Sequence, residues 1–328
     1  MTQPRVRPWM RVTLQLAASV ALLAFLMSRL DWQRSLELVR GADALLLIAV
    51  IGVQTADRLL MALKWHQLLR VIDGRLTRWD AIRVYYESTL IGFALPLGGL
   101  GPDIVRFVRL RSRGIESHVT LASMVVERLN GVVATLALIV VGLLVLANIA
   151  PQPALRDFSI VSAAVAGIAG ATAVALIFFP TLLRGLRRLL KRFTERPRFA
   201  KYVDALRSYS ARRATLAGNL VLSMIEQTAP VFTLLIGSHA LGTPLPWIVC
   251  LAVAPVSVVI QRLPLTYAGL GLREGSAAAL LVALGYDYSA ALVLLMTLFV
   301  LFCVSLLPGV VILATNARPR SDATAHAD

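Results

Sequence analysis

Two short breaks in this apolar sequence combine residue types that could bind a charged ligand. The breaks span residues 95–103 and 263–274. Each contains a proline and a Gly-Leu-Gly sequence and ends at charged side chains. Arginine guanidiniums at such positions would neutralise a phosphate, and backbone amides after the glycines would add donors. Unpaired amides are not tolerated in hydrocarbon, so a broken helix persists only where protein encloses a cavity. A matched pair, one in each half of the chain, indicates a binding site of the transporter type.

Ionisable side chains inside apolar stretches are costly, and they supply the rest of the candidate site. The pair Glu127–Arg128 lies inside the stretch 119–149, and further acids and arginines flank both breaks. We predict that the arginines hold phosphate while the acids position the arginines or relay protons. The candidate binding residues are Pro96, Gly99, Gly101, Asp103, Arg106, Glu127, Arg128, Arg262, Pro264, Gly269, Gly271, Arg273 and Glu274. The alternative is that these charges pair between helices and only hold a bundle together.

Three other features are predicted to lie near the membrane interface. Asp57 and Arg58 are neighbours in the second apolar stretch, and we expect their side chains to extend toward the cytoplasmic interface. Trp65 and Trp79 flank a basic segment and are typical of interfacial anchors. The basic segment 181–213 is predicted to lie on anionic lipid rather than to form a site.

The composition indicates which kind of scaffold must position these residues. The sequence is 58% hydrophobic and 16% charged, with a mean hydropathy of +0.74. This is too apolar for an ordinary soluble domain, and several stretches approach the roughly 20 residues that span a bilayer. The net charge of +15 is explained by Lys and Arg in cytoplasmic loops, so no nucleic-acid partner is predicted.

The positions of the apolar and basic segments predict the spans and their orientation. Apolar stretches cover residues 12–28, 43–63, 84–101, 119–149, 159–180, 214–237, 246–264, 275–285 and 289–314. The segment 181–213 carries eleven basic and two acidic residues, which marks it as a cytoplasmic loop. No small-residue cleavage site follows the first stretch, so we expect a retained span with a cytoplasmic N-terminus. The C-terminus is predicted to be cytoplasmic as well.

The charge around the two breaks favours re-entrant hairpins of opposite sense. Basic segments 64–83 and 103–118 flank the first break, and a full span there would place one of them on the wrong side. The uncharged segment 238–247 precedes the second break, which favours entry from outside. We therefore predict an all-α, polytopic membrane bundle with about six full spans and two re-entrant broken-helix hairpins. The alternative is seven or eight full spans.

The predicted domain organisation is simple. A single integral membrane domain covers residues 1–317, and a disordered tail covers residues 318–328. The two cysteines have no metal or CxxC spacing, and no His, Cys, Asp or Glu cluster has ligand spacing, so no metal or cofactor is predicted. No phosphate-binding loop, no Gly-x-Ser-x-Gly and no Asp-x-Asp motif occurs. No residue is predicted to be catalytic, and a transporter is preferred over an enzyme.

Four segments, in order along the chain, carry a resemblance to a known family. They are 62–69 with its basic-Trp-x-x-Leu-Leu pattern, 95–106 with Pro, Gly-rich and Asp-x-x-Arg, 123–131 with Ser-x-x-x-Glu-Arg, and 264–274 with Pro, Gly-Leu-Gly and Glu. Together they resemble the transmembrane-region family of lysylphosphatidylglycerol synthases, also called flippase-like membrane proteins, over residues 12–315. The family often has glycine directly before the acid of the second segment, where this chain has Pro102.

The resemblance implies a lipid-handling module. Full-length synthases add further spans and a soluble aminoacyl transferase domain, so we do not expect lysyl transfer by this chain alone. The first hypothesis is a flippase that moves a polar-headed, phosphate-bearing lipid across the bacterial inner membrane, with anionic membrane lipids as partners. The alternatives are a membrane-bound lipid- or glycosyl-modifying transferase, and a non-catalytic partner of lipid-synthesis enzymes. The sequence leaves the oligomeric state open.

Overall fold

The computed structural model describes residues 8–95, 100–178, 201–202, 205, 208–209, 211–261 and 265–316. In the first half the helices are α1 (Pro8–Met27), α2 (Trp32–Arg40), α3 (Ala44–Leu69), α4 (Arg78–Ala94), α5 (Gly101–Ser112), α6 (Ser117–Ile149) and α7 (Pro153–Phe178). In the second half they are α8 (Arg213–Ala240), α9 (Trp247–Ile260), α10 (Leu272–Ala283), α11 (Tyr288–Ser305) and α12 (Leu307–Asn316), with a 3₁₀ turn at Tyr267–Gly269. The described part of the chain contains no β-strand.

Among the described residues, five helical segments are long and apolar enough to cross a bilayer. They are α3, α6, α7, α8 and the continuous pair α11–α12. A sixth span results if α1 and α2, which meet at a bend of 92°, are counted together. The predicted all-α polytopic bundle with about six spans is therefore confirmed.

Local sequence signals explain where several helices begin. The Asp31 carboxylate accepts from the first free amides of α2, and the Asp43 carboxylate does the same for α3. Thr77 and Asp80 form a capping box at the start of α4. Each cap satisfies amides that have no partner within the helix. Pro102 lies in the first turn of α5, where its missing N–H costs nothing.

The connections between helices lie at two opposite ends of the bundle, and α3 runs from one end to the other. At one end the Asp43 N–H donates to the Ala240 carbonyl oxygen over 2.8 Å, and the Asp31 N–H donates to Ser289 Oγ over 3.1 Å. We call this end A; it contains the connections 28–43, 241–246 and 284–287.

The other end is held together by contacts of the same kind. Arg113 Nη1 lies 3.1 Å from Asp80 Oδ1, and the Tyr209 hydroxyl donates to the Leu68 carbonyl oxygen over 2.9 Å. We call this end B; it contains the connections 70–77 and 113–116 and residues 211–212 before α8. The side of the membrane that each end faces stays a prediction.

The two sequence breaks form two helical hairpins that enter from opposite ends. The pair α4–α5 starts and finishes at end B, whereas α9–α10 starts and finishes at end A. The longest of these helices, α4, has 17 residues and is about 26 Å long, which is less than the roughly 30 Å of hydrocarbon. The arrangement therefore agrees with six spans and two hairpins rather than with seven or eight spans.

The first hairpin closes through two glycines. A Cβ at Gly92 would lie 2.2 Å from the backbone nitrogen of Pro102, and a Cβ at Gly101 would lie 2.4 Å from the carbonyl oxygen of Gly92. No side chain fits at such distances, so α4 and α5 approach each other only because both positions are glycine.

The helix ends beside the two tips meet in the interior. The Tyr267 hydroxyl, from the second break, donates to the carbonyl oxygen of Phe93 at the end of α4 over 3.1 Å. The Tyr267 N–H donates to Ser19 Oγ of α1 over 2.8 Å. Gly271 has a φ of +82°, and a Cβ there would lie 3.2 Å from Leu22. Helix α1 therefore packs against the second break and supports its position.

Some predicted features fall on other parts of the chain. The basic segment 181–213 lies mostly outside the described residues, and the predicted tail 318–328 lies wholly outside them. The predicted single domain 1–317 stays a prediction.

Candidate functional site

A cavity of about 290 Å³ lies beside the point where the two hairpins meet. Phe93, at the end of α4, lines it from the first hairpin, and Gln261 and Arg273 line it from the two sides of the second break. Helices α3, α8 and α11 complete the wall. The polar side chains of this central cavity are Gln54, Asp57, Arg58, Thr233, Ser257, Gln261 and Arg273.

Helix α8 is continuous but contains a proline where it borders the cavity. Pro230 lies inside α8 and lines the cavity wall. Proline has no N–H, so the helix has one backbone hydrogen bond fewer at this point. A backbone carbonyl left free in this way is tolerated at membrane depth where protein or a cavity surrounds it.

Arg273 presents its guanidinium to the cavity from the first turn of α10. Its Nε donates to Glu274 Oε1 over 2.8 Å, and its guanidinium carbon lies 5.4 Å from the ring centre of Phe299. The side chain remains 28% exposed. One carboxylate and one aromatic face therefore hold Arg273, and part of its donor set stays accessible.

Glu274 hydrogen-bonds to the backbone and does not line the cavity. Its Oε2 accepts from the Gly271 N–H over 2.8 Å, which caps the start of α10, and its Oε1 accepts from Arg273. The side chain is buried and does not line the cavity wall. Glu274 thus fixes both the helix start and the arginine beside it.

Asp57 and Arg58 line the same cavity, which corrects the expectation that they extend toward the interface. Both side chains are largely buried, with Arg58 Nη2 lying 3.6 Å from Asp57 Oδ2 and the guanidinium carbon lying 5.2 Å from the ring centre of Phe302. They occupy the middle of α3, about 20 Å from either helix end, which is too far for the side chains to reach the interface. The signal in the sequence was the presence of two ionisable residues inside an apolar stretch.

An aromatic cluster supports both cavity arginines. Phe93 packs edge-on against Phe302 at 5.9 Å and against Phe299 at 6.4 Å between ring centres. Arg58 lies over one of these α11 rings and Arg273 over the other. The aromatic faces stabilise the cations without using the guanidinium N–H donors, so the donors of Arg273 that Glu274 does not take remain accessible in the cavity.

Four of the predicted site residues form a separate cluster away from this cavity. Arg106 Nη1 donates to Glu127 Oε2 over 2.7 Å, and Arg106 Nη2 lies 2.5 Å from Asp103 Oδ1. Asp103 Oδ2 accepts in turn from Arg128 Nε over 2.7 Å. This Arg106 cluster, made of Asp103, Arg106, Glu127 and Arg128, joins α5 to α6.

Trp65 belongs to the packing of the Arg106 cluster and is not an interfacial anchor. It is completely buried, and the Arg106 guanidinium carbon lies 5.0 Å from the ring centres of both Trp65 and Tyr85. The Trp79 side chain is largely exposed, as an anchor requires. Trp65 was expected at the interface because the residues near it in the sequence are basic. Its partners in the structure come instead from α4 and α5.

A third polar group, centred on Lys64, fastens α3 to α8 and α6. Lys64 Nζ forms a buried ion pair with Glu226 and donates to Ser223 Oγ over 3.0 Å. Asn219 Nδ2 donates to the Lys64 carbonyl oxygen, and Asn130 Nδ2 donates to Asn219 Oδ1, each over 2.9 Å. Lys64 begins the basic segment 64–83, which suggested a loop, but its side chain is buried inside the bundle.

The thirteen predicted site residues therefore separate by position. Arg273 lines the central cavity, Glu274 anchors it, and Gly269 and Gly271 shape the second break with φ values of +77° and +82°. Gly101 closes the first hairpin, and the remaining described members form the Arg106 cluster. Pro96, Gly99, Arg262 and Pro264 lie outside the described residues. Their roles in binding stay predictions.

The described residues offer no set of three His, Cys, Asp or Glu side chains placed to hold a metal ion. The chemistry available in the central cavity is that of guanidinium, carboxamide and carboxylate groups beside aromatic rings.

Fold and site together define a class: a polytopic helical membrane protein in which two opposed hairpins meet beside a cavity that contains polar side chains. Within this class, the model of the lysylphosphatidylglycerol synthase TM region matches residues 12–309, and the chain belongs to that family. The predicted family is thus confirmed, and with it a relation to lipid modification or transport. No curated protein matches the chain.

Proposed function

We propose that this protein moves a phosphate-bearing, polar-headed lipid between the leaflets of the bacterial inner membrane through its central cavity. One observation carries the proposal: two arginines, each stacked on a phenylalanine, line a cavity where two opposed hairpins meet. Broken helices around a mid-membrane site are the arrangement that transporters use for ion and headgroup binding.

The charge of the cavity favours an anionic headgroup. Arg58 and Arg273 line it, and Asp57 is the acidic side chain of the described lining. Arginine matches phosphate because its planar donors form parallel hydrogen bonds to two oxygens. The 3.6 Å separation of Arg58 from Asp57 is longer than a hydrogen bond, so a phosphate competes for Arg58 without first breaking a tight pair.

The size of the cavity favours entry of the headgroup alone. A volume of about 290 Å³ is near the roughly 300 Å³ lower limit of ligand pockets and is too small for a whole phospholipid. The acyl chains would therefore remain in the surrounding hydrocarbon while the headgroup passes between the hairpins. Such a path lowers the cost of taking a charged group across hydrocarbon.

The orientation belongs to the same proposal. Basic residues in 70–78 and 109–113, together with Arg212 and Arg213, are concentrated at end B, so end B would face the cytoplasm, where the sequence also predicts both termini. The hairpin α4–α5 then enters from the cytoplasm, and α9–α10 enters from outside. The chain has no nucleotide-binding motif of its own, so movement would be passive or ion-coupled.

The test is leaflet exchange of labelled phospholipids and polyprenyl-phosphate lipids in liposomes that contain the purified protein. Arg58→Gln and Arg273→Gln should each slow exchange by about tenfold, because each removes one charge-assisted contact to phosphate. Arg75→Gln is the matched control, since Arg75 is an exposed arginine at end B that pairs with Asp73.

Two results would contradict the proposal. Normal exchange in both cavity variants would remove the cavity from the path. No exchange of any lipid class, even with an imposed proton gradient, would exclude translocation and return attention to a transferase or to a partner of lipid-synthesis enzymes. Product formation by the purified protein would then separate these two alternatives.

A further inference from the structure

A second cavity, of about 420 Å³, lies at end B between α3 and α8. It is lined by Leu63, His66, Gln67, Arg70, Val71, Arg78, Arg212, Thr215 and Leu222. Its α3 residues follow residue 62, whereas the central cavity uses residues 54–58 of the same helix. The two sites therefore share no lining residue, and we call the second one the end B cavity.

Three arginines from separate elements converge on the end B cavity. Arg70 follows α3, Arg78 begins α4, and Arg212 precedes α8. None of them forms an ion pair with a residue that the structure describes, and none of the described lining residues is acidic. Arginines that meet without a carboxylate repel one another, so an anion between them would be stabilised.

The start of α8 adds backbone donors to the same place. None of the described side chains caps this helix, and Thr215 from its first turn lines the cavity. The first amides of a helix lack partners within the helix and carry a partial positive charge, which is the arrangement that binds phosphate. An anion in the end B cavity would supply the missing cap.

The wall also has polar and apolar parts that suit more than a bare anion. Gln67 lines the cavity and adds a carboxamide group to its wall. Leu63 and Leu222 line the cavity, and Leu63 is 41% exposed. A phosphate group beside apolar surface is the pattern that a phospholipid presents at the membrane boundary.

We infer that the end B cavity is a second binding site, which takes a phosphate-bearing anion through Arg70, Arg78, Arg212 and the start of α8. The shared chemistry is a phosphate group with net negative charge, supplied by the headgroup of an anionic phospholipid or as free phosphate. Binding here does not depend on transport through the central cavity, because the two sites share no residue.

The test is site-resolved crosslinking in nanodiscs of phosphatidylcholine that contain a small fraction of photoreactive phosphatidylglycerol. The full chain is used, and labelled peptides are identified by mass spectrometry. We expect labelling of peptides that contain residues 63–71 and 212–222. The double variant Arg70→Gln/Arg212→Gln should reduce this labelling by at least about tenfold. The control Arg75→Gln/Arg111→Gln makes the same change in net charge with exposed arginines outside the cavity.

Added inorganic phosphate distinguishes the two sources of the phosphate group. If millimolar phosphate leaves the labelling intact, the ligand is the lipid headgroup. If phosphate displaces the lipid and protects the protein against thermal unfolding, and the double variant abolishes that protection, the site takes free phosphate. Equal labelling by photoreactive phosphatidylcholine, or equal loss in the double variant and its control, would overturn the inference. A thermal unfolding midpoint of the double variant that matches the wild type shows that the fold is intact.

Discussion

The two hairpins carry arginines in similar sequence settings but place them in different environments. Arg106, beside the first break, is 5% exposed and is enclosed by two carboxylates and two aromatic rings. Arg273, at the second break, has one carboxylate and one ring and opens on the central cavity. The comparison shows that the number of protein partners decides whether an intramembrane arginine fastens helices or remains available to a ligand.

The physical basis is the cost of burying a charge. A guanidinium taken out of water must recover its lost hydration from partners, and a fully paired one has little left to offer. The Arg106 cluster meets most of this requirement internally, because both terminal nitrogens of Arg106 are paired with carboxylates and only its Nε lacks a partner among the described residues. Arg273 has fewer hydrogen-bond partners, because its carboxylate partner Glu274 also caps α10. A headgroup phosphate would provide the missing partner.

The largest expected effect follows from removing a carboxylate of the Arg106 cluster. Glu127→Ala leaves Arg106 buried with a lost partner and should destabilise the protein by about 3–5 kcal/mol. The measurement is thermal or denaturant unfolding in detergent. The control is Glu116→Ala, which removes an exposed acid just before the same helix. A Glu127→Ala protein with wild-type stability and no lipid exchange would instead make the cluster a binding site.

The next effect concerns the closure of the first hairpin. Gly92→Ala places a methyl group against the backbone of Pro102 and should cost about 1–3 kcal/mol as overpacking. Gly52→Ala is the matched control, because nothing lies within 4 Å of a Cβ at that helical position. Unfolding midpoints of the two variants measure the difference. Equal midpoints would mean that α4 and α5 do not need their close approach.

A smaller loss of stability, together with a loss of function, is expected at Glu274. Glu274→Ala removes the cap of α10 and should cost about 1 kcal/mol. Because it also frees Arg273 from its anchor, leaflet exchange should fall much more than stability does. Glu274→Gln retains an acceptor for the Gly271 N–H, so it should recover stability but not exchange. If both variants exchange lipid normally, the second hairpin does not position Arg273 for binding.

The smallest effect lies outside both hairpins, in the connection 70–77. The side-chain hydrogen bond from Arg75 holds the pKa of Asp73 below its ordinary value. A lowered folded-state pKa stabilises the protein fully above the ordinary aspartate pKa, and this contribution disappears as the pH falls through the lowered pKa. Asp73→Asn should therefore be slightly less stable than the wild type at neutral pH and equally stable in strong acid. Unfolding midpoints of both proteins across pH check this prediction. A larger loss of stability in acid than at neutral pH would contradict it.

The spans and the hairpins were the features most readily predicted from the sequence. Apolar length and the distribution of basic segments predicted six spans and two opposed hairpins, because both depend on local composition. The prediction was weaker for individual polar residues. Trp65 and Lys64 were assigned to the surface by their basic neighbours, and Asp57–Arg58 were expected near an interface.

The sequence alone determined that this is a polytopic helical membrane protein of a lipid-related family with two broken elements, since hydrophobic length and glycine-proline breaks act locally. The tertiary structure alone decided which charges pair and which line a cavity. Lys64 pairs with Glu226, which lies 162 positions away in the sequence, and Tyr267 hydrogen-bonds to Phe93, which lies 174 positions away. Helix packing decides which side chains become partners. The position of a side chain on its helix therefore decides whether it pairs with a neighbouring helix or lines a cavity.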